Sequence, residues 1–319
     1  MCLQIFTFAP MKKIVFKIIT LIIGLTLVSC TMNHKQSFKT KTVDFSVKDI
    51  PGTKNNSPDS IPVLNVAVSA IISPRQTFNY YKELFAYISG KIHHRIEFKQ
   101  RRTYQEVNNL IHNREVDLAF VCSGAYIEEK ELGDVDILVV PLCNGKPFYQ
   151  AYIITNKSSD INSFEDLRGK SFAFTDPLSN TGKLYADKRL ADFHSSPDSF
   201  FSSIVYTHAH DISMQLVSKK VVDGATVDGL IYDYMAKFHP ERVKNLKIIE
   251  KSEYFGIPPV VIPSRLNDKL KEQLKDVFLS IHKDPAGKRI LNKLLIDRFI
   301  IGDDSNYNNI RQIKRKISR

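Results

Sequence analysis

The chain has 319 residues, of which 43% are hydrophobic and 25% charged, a balance that excludes a wholly disordered chain and suffices for two compact lobes. Forty-five Lys and Arg against 34 Asp and Glu leave a net charge of +11, which suits nucleic acid, an anionic membrane or an acidic solute. No dense Lys/Arg face interleaved with aromatics occurs in the folded part, so nucleic acid is disfavoured and a Lys-rich background accounts for the charge.

Met11-Lys12-Lys13 opens a positive segment, residues 14–28 are almost wholly apolar, and Leu27-Val28-Ser29-Cys30 follows directly. This order predicts a secretory signal peptide over residues 1–29, with Met11 the better start. A spanning helix is the competing reading, but the apolar run is short and broken by Lys17. The tetrad resembles a lipobox, which would leave Cys30 as a diacylated first residue, and two acyl chains anchor stably where one does not. Residues 30–62, rich in Lys, Ser, Thr, Asn and Asp, then form a flexible tether. The expected location is the cell envelope, on the periplasmic side or the outer face of the cytoplasmic membrane. Cys122 and Cys143 also remain, and two buried thiols are the preferred reading over a disulfide.

From residue 64 to 71 the pattern alternates as a strand, and Phe78, Tyr81, Phe85 and Ile88 recur at helical spacing up to Gly90. A strand over 95–99 follows. Thr103 and Glu106 form a capping box ahead of Val107, Leu110 and Ile111, and Val116, Leu118 and Phe120 alternate. A strand over 171–174 feeds Asp176-Pro177-Leu178-Ser179-Asn180-Thr181-Gly182, then a helix with Ala186, Leu190 and Phe193 on one face. Strands over 204–206, 246–251 and 260–262 and helices over 211–218, 267–281 and 285–294 complete the pattern. This alternation predicts an α/β fold with mostly parallel sheets flanked by helices. One internal echo, Glu115-Val116-Asp117-Leu118-Ala119-Phe120-Val121-Cys122-Ser123 against Val221-Val222-Asp223-Gly224-Ala225-Thr226-Val227-Asp228-Gly229, predicts two similar lobes with a polar turn at the carboxyl end of a buried strand in each.

The segment from Ser179 to Gly182 opens a helix with hydroxyls and backbone N–H groups, which makes either an anion cradle or an ordinary cap. It lacks the Gly-Lys-Ser/Thr ending of a nucleotide P-loop. Taken with Asp166-Leu167-Arg168-Gly169-Lys170, His210-Asp211 and Val222-Asp223-Gly224-Ala225, the chain from residue 64 to 299 resembles the phosphate/phosphite/phosphonate-binding protein family of ABC transporters. The resemblance implies a two-lobed, type II periplasmic-binding-protein-like receptor that closes over a small phosphorus oxyanion and delivers it to a membrane permease. It places lobe 1 at 63–152 plus 258–319 and lobe 2 at 153–257. Carried over by residue, it assigns the phosphono oxygens to Ser179, Asn180, Thr181 and Gly182, to the first-lobe phenols Tyr104 and Tyr149, and to His210. Asn180 stands where the family often has a hydroxyl. Asp228 is expected to accept a hydrogen bond from a P–OH group, or else simply to cap the next helix. Leu230 and Pro258 stand where aminophosphonate-binding members carry carboxylates, which favours a ligand with no ammonium.

A monomer without cofactor or metal is expected; His208 and His210 alone lack further ligands at recognisable spacing. Two rival functions are a lipoprotein sensor using the same clamp and, less favoured, a hydrolase built on Ser179, His210 and Asp228, for which no Gly-x-Ser-x-Gly elbow exists. The basic C-terminal stretch, 310–319, is read as a solvated helix end.

Overall fold

The computed structural model describes residues 42–44 and 61–317; the segment read as a signal peptide, Cys30 and most of the 30–62 stretch lie outside the described residues. In chain order, the first half comprises β1 (Thr42–Asp44), β2 (Val63–Val68), α1 (Pro74–Ile92), β3 (Arg95–Gln100), α2 (Tyr104–His112), β4 (Leu118–Phe120), α3 (Ser123–Glu131) and β5 (Val135–Leu142). Next come β6 (Phe148–Tyr149), β7 (Ala151–Asn156), β8 (Ser171–Phe174), α4 (Tyr185–Asp192), α5 (Pro197–Phe200), β9 (Ser203–Tyr206), α6 (His210–Ser218) and β10 (Gly224–Asp228). The remainder is α7 (Gly229–Phe238), α8 (Pro240–Val243), β11 (Leu246–Lys251), β12 (Phe255–Gly256), β13 (Val260–Pro263), α9 (Asp268–Ser280), α10 (Pro285–Lys293), β14 (Arg298–Ile300) and α11 (Asn308–Ile317).

Two sheets form two lobes. The first has the order β1-β3-β2-β4-β13-β5-β14 and the second β11-β7-β10-β8-β9. The expectation of mostly parallel sheets needs correction, because both are mixed. β3, β2 and β4 are parallel neighbours, as are β10, β8 and β9, while β7 and β13 pair antiparallel with theirs. The cause is the path of the chain: β7 enters the second sheet, and β13 re-enters the first, directly from the other lobe rather than through a covering helix. The parallel cores retain the expected character, since every residue of β10 is buried, as is usual for strands covered on both faces.

The passages between sheets run side by side as a two-stranded ribbon, with Phe255 opposite Tyr149 and Gly256 opposite Phe148. Each lobe has its own aromatic core, Phe85, Phe98, Phe120, Phe278 and Phe299 in the first and Phe164, Phe172, Phe174 and Phe201 in the second, where Phe172 and Phe201 stack at 4.3 Å.

Three local expectations are adjusted. The stretch read as a tether contains β1, paired antiparallel with β3. Gly90 does not end α1; the helix continues to Ile92 and stops where His93 adopts a left-handed conformation. The basic C-terminal helix is docked rather than merely solvated, with Ile310 buried and Lys314 2.6 Å from Glu128. Among the described residues no helix is long and apolar enough to cross a membrane.

Candidate functional site

The chain places a helix start at the carboxyl end of β3, β4, β8, β9 and β10, and the residues singled out in the sequence occupy those starts. Tyr104 is the first residue of α2, Asn180 opens a π-helical turn leading into α4, His210 is the first residue of α6, and Asp228 is the N-cap of α7. Unpaired N–H groups and the positive end of the helix dipole make each such position favourable to negative charge. The carboxyl edge of an open α/β sheet is also where ligands are expected.

In the second lobe, Ser179 is extended and its Oγ accepts the Gly182 N–H at 2.9 Å, so this hydroxyl serves as the cap. Thr226 donates its hydroxyl to the Thr181 carbonyl, which ties the turn to β10. A Cβ at Gly182 would lie 2.5 Å from the Thr175 Cβ and 2.9 Å from the Ser179 Oγ, so no side chain fits there. Asp176 holds the turn's entry by accepting the Leu178 N–H at 2.9 Å, and it also accepts the Tyr104 N–H from the first lobe at 3.1 Å.

The first lobe meets this turn closely. A Cβ on Gly124 would stand 2.3 Å from the Leu178 carbonyl oxygen and 3.0 Å from the Asn180 nitrogen. Asn180 donates its amide to the Tyr149 hydroxyl at 3.3 Å, and the Cys122 thiol lies 4.0 Å from the Ser179 Oγ. Cys122 and Cys143 are both free and buried, and burial pushes the Cys143 thiol up to about 12.

His210 and Asp228 are brought together, though not as a catalytic pair. The Asp228 backbone N–H donates to the His210 Nδ1 at 3.1 Å, which also lies 3.0 Å from the Thr175 hydroxyl. A backbone N–H can only donate, so Nδ1 accepts and the ring proton resides on Nε2. Burial drives the His210 pKa down to about 3, keeping the ring neutral, so a hydrogen bond from it to an anion comes from a neutral donor. The Asp228 Oδ1 accepts the Leu230 N–H at 2.8 Å as a helix cap, while burial raises the carboxyl to about 7 against the lowering effect of the Leu230 and Ile231 amides. Ser179, His210 and Asp228 thus form no relay: the serine caps its own turn and the aspartate meets the ring through its backbone.

These two groups titrate in opposite senses. Asp228 is raised from 3.8, so the folded chain retains a proton that the unfolded chain releases, and its stabilising contribution falls between about pH 4 and 7. His210 is depressed from 6.5, so the folded chain refuses a proton, and its contribution grows between about pH 3 and 6.5. The slopes offset each other in the overlap. Asp228→Asn is expected to unmask the histidine, giving a stability that rises toward about 1.4 kcal/mol per pH unit between about pH 4 and 6. Urea denaturation of both proteins across that range tests it; parallel profiles would contradict the assignment.

Among the described residues, nine buried side-chain atoms have no hydrogen-bond partner, and five of them belong to this region: Ser69 Oγ, Tyr104 Oη, Asn180 Oδ1, Thr181 Oγ1 and His210 Nε2. Four of the five can donate. Burial pushes the Tyr104 phenol up, and Cys122, Asp176, Asp228 and Tyr149 lie near enough to push it the same way. Turning the Asn180 amide over would let it accept from Tyr149 and present its NH2 where Oδ1 stands.

Ser69 escaped the sequence reading because one serine at the end of a strand carries no pattern. It also lines a cavity of about 100 Å³ between the lobes, together with Tyr80, Tyr81, Asp228, Leu230 and Pro258. Asp233, on the same wall, was likewise missed; it accepts the Tyr152 hydroxyl at 3.2 Å and lies near Lys251. His208, by contrast, stands 3.5 Å from Asp176 and is only partly buried.

Residues 66–307 match a family model described as "ABC transporter, phosphonate, periplasmic substrate-binding protein". The chain is 30% identical over 174 residues to the phosphonates-binding periplasmic protein of Escherichia coli, covering 53% of this chain and 51% of that one. It is 23% identical over 183 residues to a probable ABC transporter phosphite binding protein of Prochlorococcus marinus, covering 54% and 62%. The aligned stretches thus span about half to three-fifths of these relatives. In fold, it resembles a binding protein component of an ABC phosphonate transporter from Pseudomonas aeruginosa, with a TM-score of 0.77, 24% identity and coverage of 81% and 87%. It also resembles a Prochlorococcus marinus protein, PhnD1, solved with methylphosphonate, with a TM-score of 0.73, 18% identity and coverage of 80% and 98%.

Proposed function

Because the chain belongs to the phosphonate-binding family of periplasmic substrate-binding proteins of ABC transporters, we propose that it captures a small phosphorus oxyanion between its lobes and delivers it to a membrane permease. The observation that carries this reading is the set of buried, unpartnered donors, Ser69 and Tyr104 from one lobe and Thr181 and His210 from the other. A buried donor without an acceptor costs about 1–3 kcal/mol, and an oxyanion would satisfy several at once. Helix N-termini supply positive potential without a cation, so neither lobe must bury an unpaired Lys or Arg.

Each residue has a role in this proposal. Ser179 fixes the turn, and Thr181, the amide of Asn180 and backbone N–H groups beside Gly182 face the oxygens. Tyr104, Tyr149 and Ser69 close from the first lobe, and His210 donates through Nε2. Asp228 supplies selectivity. Its carboxyl titrates near 7, and the second ionisation of a phosphorus oxyanion also lies near neutrality, so acid and ligand can share one proton. Sulfate brings no such proton, so its capture would require the carboxyl to take one up from solvent. The β6/β12 ribbon is the hinge in this reading, and Tyr149 within it would report closure directly.

The cavity beside Asp228 would receive the substituent on phosphorus. Leu230 and Pro258 give it a largely apolar wall, and Asp233 is held by the Tyr152 hydroxyl with Lys251 nearby, so a short neutral substituent fits better than an ammonium. Export, anchoring through Cys30 and a monomeric state belong to the same proposal.

A thermal-shift screen of the purified protein tests it against phosphate, phosphite, methylphosphonate, 2-aminoethylphosphonate and sulfate. At a concentration of about 100 times Kd, a ligand should add about 2.7 kcal/mol of stability. The expected result is a shift with at least one phosphorus oxyanion, larger for methylphosphonate than for the aminoethyl compound, and none with sulfate. No shift with any phosphorus compound would overturn the oxyanion reading, and a larger shift with the aminoethyl compound would overturn the neutral-substituent reading alone.

A further inference from the structure

Away from the cleft, three potential metal ligands meet at the far ends of α2 and α3. His112 is the last residue of α2, Glu129 lies near the end of α3, and Asp134 follows in the turn before β5. The His112 Nδ1 is 2.7 Å from an Asp134 oxygen and 3.8 Å from the Glu129 Oε1, and one ligand atom from each residue lies within 4.8 Å of the others. A tetrahedral Zn²⁺ holding N and O ligands at about 2.0–2.1 Å spaces them about 3.3 Å apart, so the three are already near coordination geometry.

Glu129 makes this more than an exposed acidic cluster. Only 2% of the residue is exposed, its Oε1 has no hydrogen-bond partner, and that atom is directed at the histidine from a distance too long for a hydrogen bond. Among the described residues, neither Glu129 nor Asp134 has a Lys or Arg in an ion pair; each meets only His112. Burial pushes the Glu129 carboxyl up, His112 pulls it down, and Asp134 adds a smaller push upward. His112 and Asp134 line a cavity of about 300 Å³ through which an ion could enter, while Glu129 is buried and does not line it. Arg114 and Arg265 border that cavity and limit how much cation it gathers, so a ligand set supplying direct bonds is required.

We propose that His112, Glu129 and Asp134 form a divalent transition-metal site, with one imidazole and two carboxylates suited to Zn²⁺ and a fourth position open to water. The ion would bind the distal ends of α2 and α3, the helices whose opposite ends bring Tyr104 and Gly124 against the second lobe's turn, and so stiffen the first lobe without touching the oxyanion.

The test treats the purified protein with a chelator, removes it, and titrates Zn²⁺ by calorimetry, with Co²⁺ absorption as the spectroscopic readout. One equivalent should bind, raise the melting midpoint, and give Co²⁺ visible bands of low-coordinate geometry. Glu129→Gln, which preserves shape, and the more exposed Asp134→Asn and His112→Ala should each weaken binding about tenfold or more. Their metal-free melting midpoints and oxyanion affinities should match the parent, and a variant that fails this check is replaced by another of the three. Absence of stoichiometric Zn²⁺ binding, or binding that the folded variants leave unchanged, would overturn the proposal whatever the outcome at the oxyanion site.

Discussion

Gly124→Ala is expected to weaken oxyanion binding by about 10- to 100-fold while leaving both lobes folded. The added methyl would meet the Leu178 carbonyl oxygen at 2.3 Å, and that oxygen belongs to the other lobe. Neither partner is the flexible end of a side chain: the contact joins the first turn of α3 to the backbone entering Ser179. The lobes must therefore separate or the turn must deform, and overpacking of this kind costs about 1–3 kcal/mol. That cost falls on the closed form alone, so it enters the apparent affinity through the fraction of molecules able to close. Small-angle scattering with and without ligand checks the mechanism. The parent should contract on binding, and the variant should contract less, or only at higher ligand concentration. An alanine variant that binds and contracts like the parent would show that α3 and the turn do not meet in the bound form.

What the sequence disclosed follows from how local each signal is. The turn from Asp176 to Gly182 was legible because proline, hydroxyls and glycine at adjacent positions force one strand-to-helix geometry. The echo between Phe120-Val121-Cys122-Ser123 and Thr226-Val227-Asp228-Gly229 correctly pointed to two strand ends that open helices, α3 and α7. Strand direction was not legible. Whether β7 and β13 run parallel or antiparallel to their neighbours depends on the chain crossing between lobes, and no short window encodes that crossing. The protonation states were hidden for a similar reason. His210 reads as an ordinary titrating histidine until its neighbours are known: the Asp228 N–H on Nδ1 fixes the tautomer, and burial removes the charge. Ser69, Asp233 and the trio His112, Glu129 and Asp134 become meaningful only when distant segments meet, because none of them carries a spacing pattern.

The orphaned donors allow function and stability to be separated. Tyr104→Phe and Thr181→Val each delete a hydroxyl that is buried and unpartnered, with almost no change in shape. Removing such a group relieves a desolvation cost where the lobes are closed and changes little where they are open and the hydroxyl is hydrated, so each variant should be at least as stable as the parent in urea. In the complex the same hydroxyl would donate to an anion, and a hydrogen bond to a charged group contributes about 1.5–3 kcal/mol. Each variant should therefore bind phosphite or methylphosphonate about 10- to 100-fold more weakly, and the double variant should lose measurable affinity. Stability kept while affinity falls distinguishes this from a packing role, in which the two would fall together. Thr181→Ser, which keeps the hydroxyl, should retain most of the affinity. If Tyr104→Phe proves less stable than the parent with its affinity intact, the phenol finds its partner within the protein, and the first lobe contributes shape rather than a hydrogen bond to the captured ion.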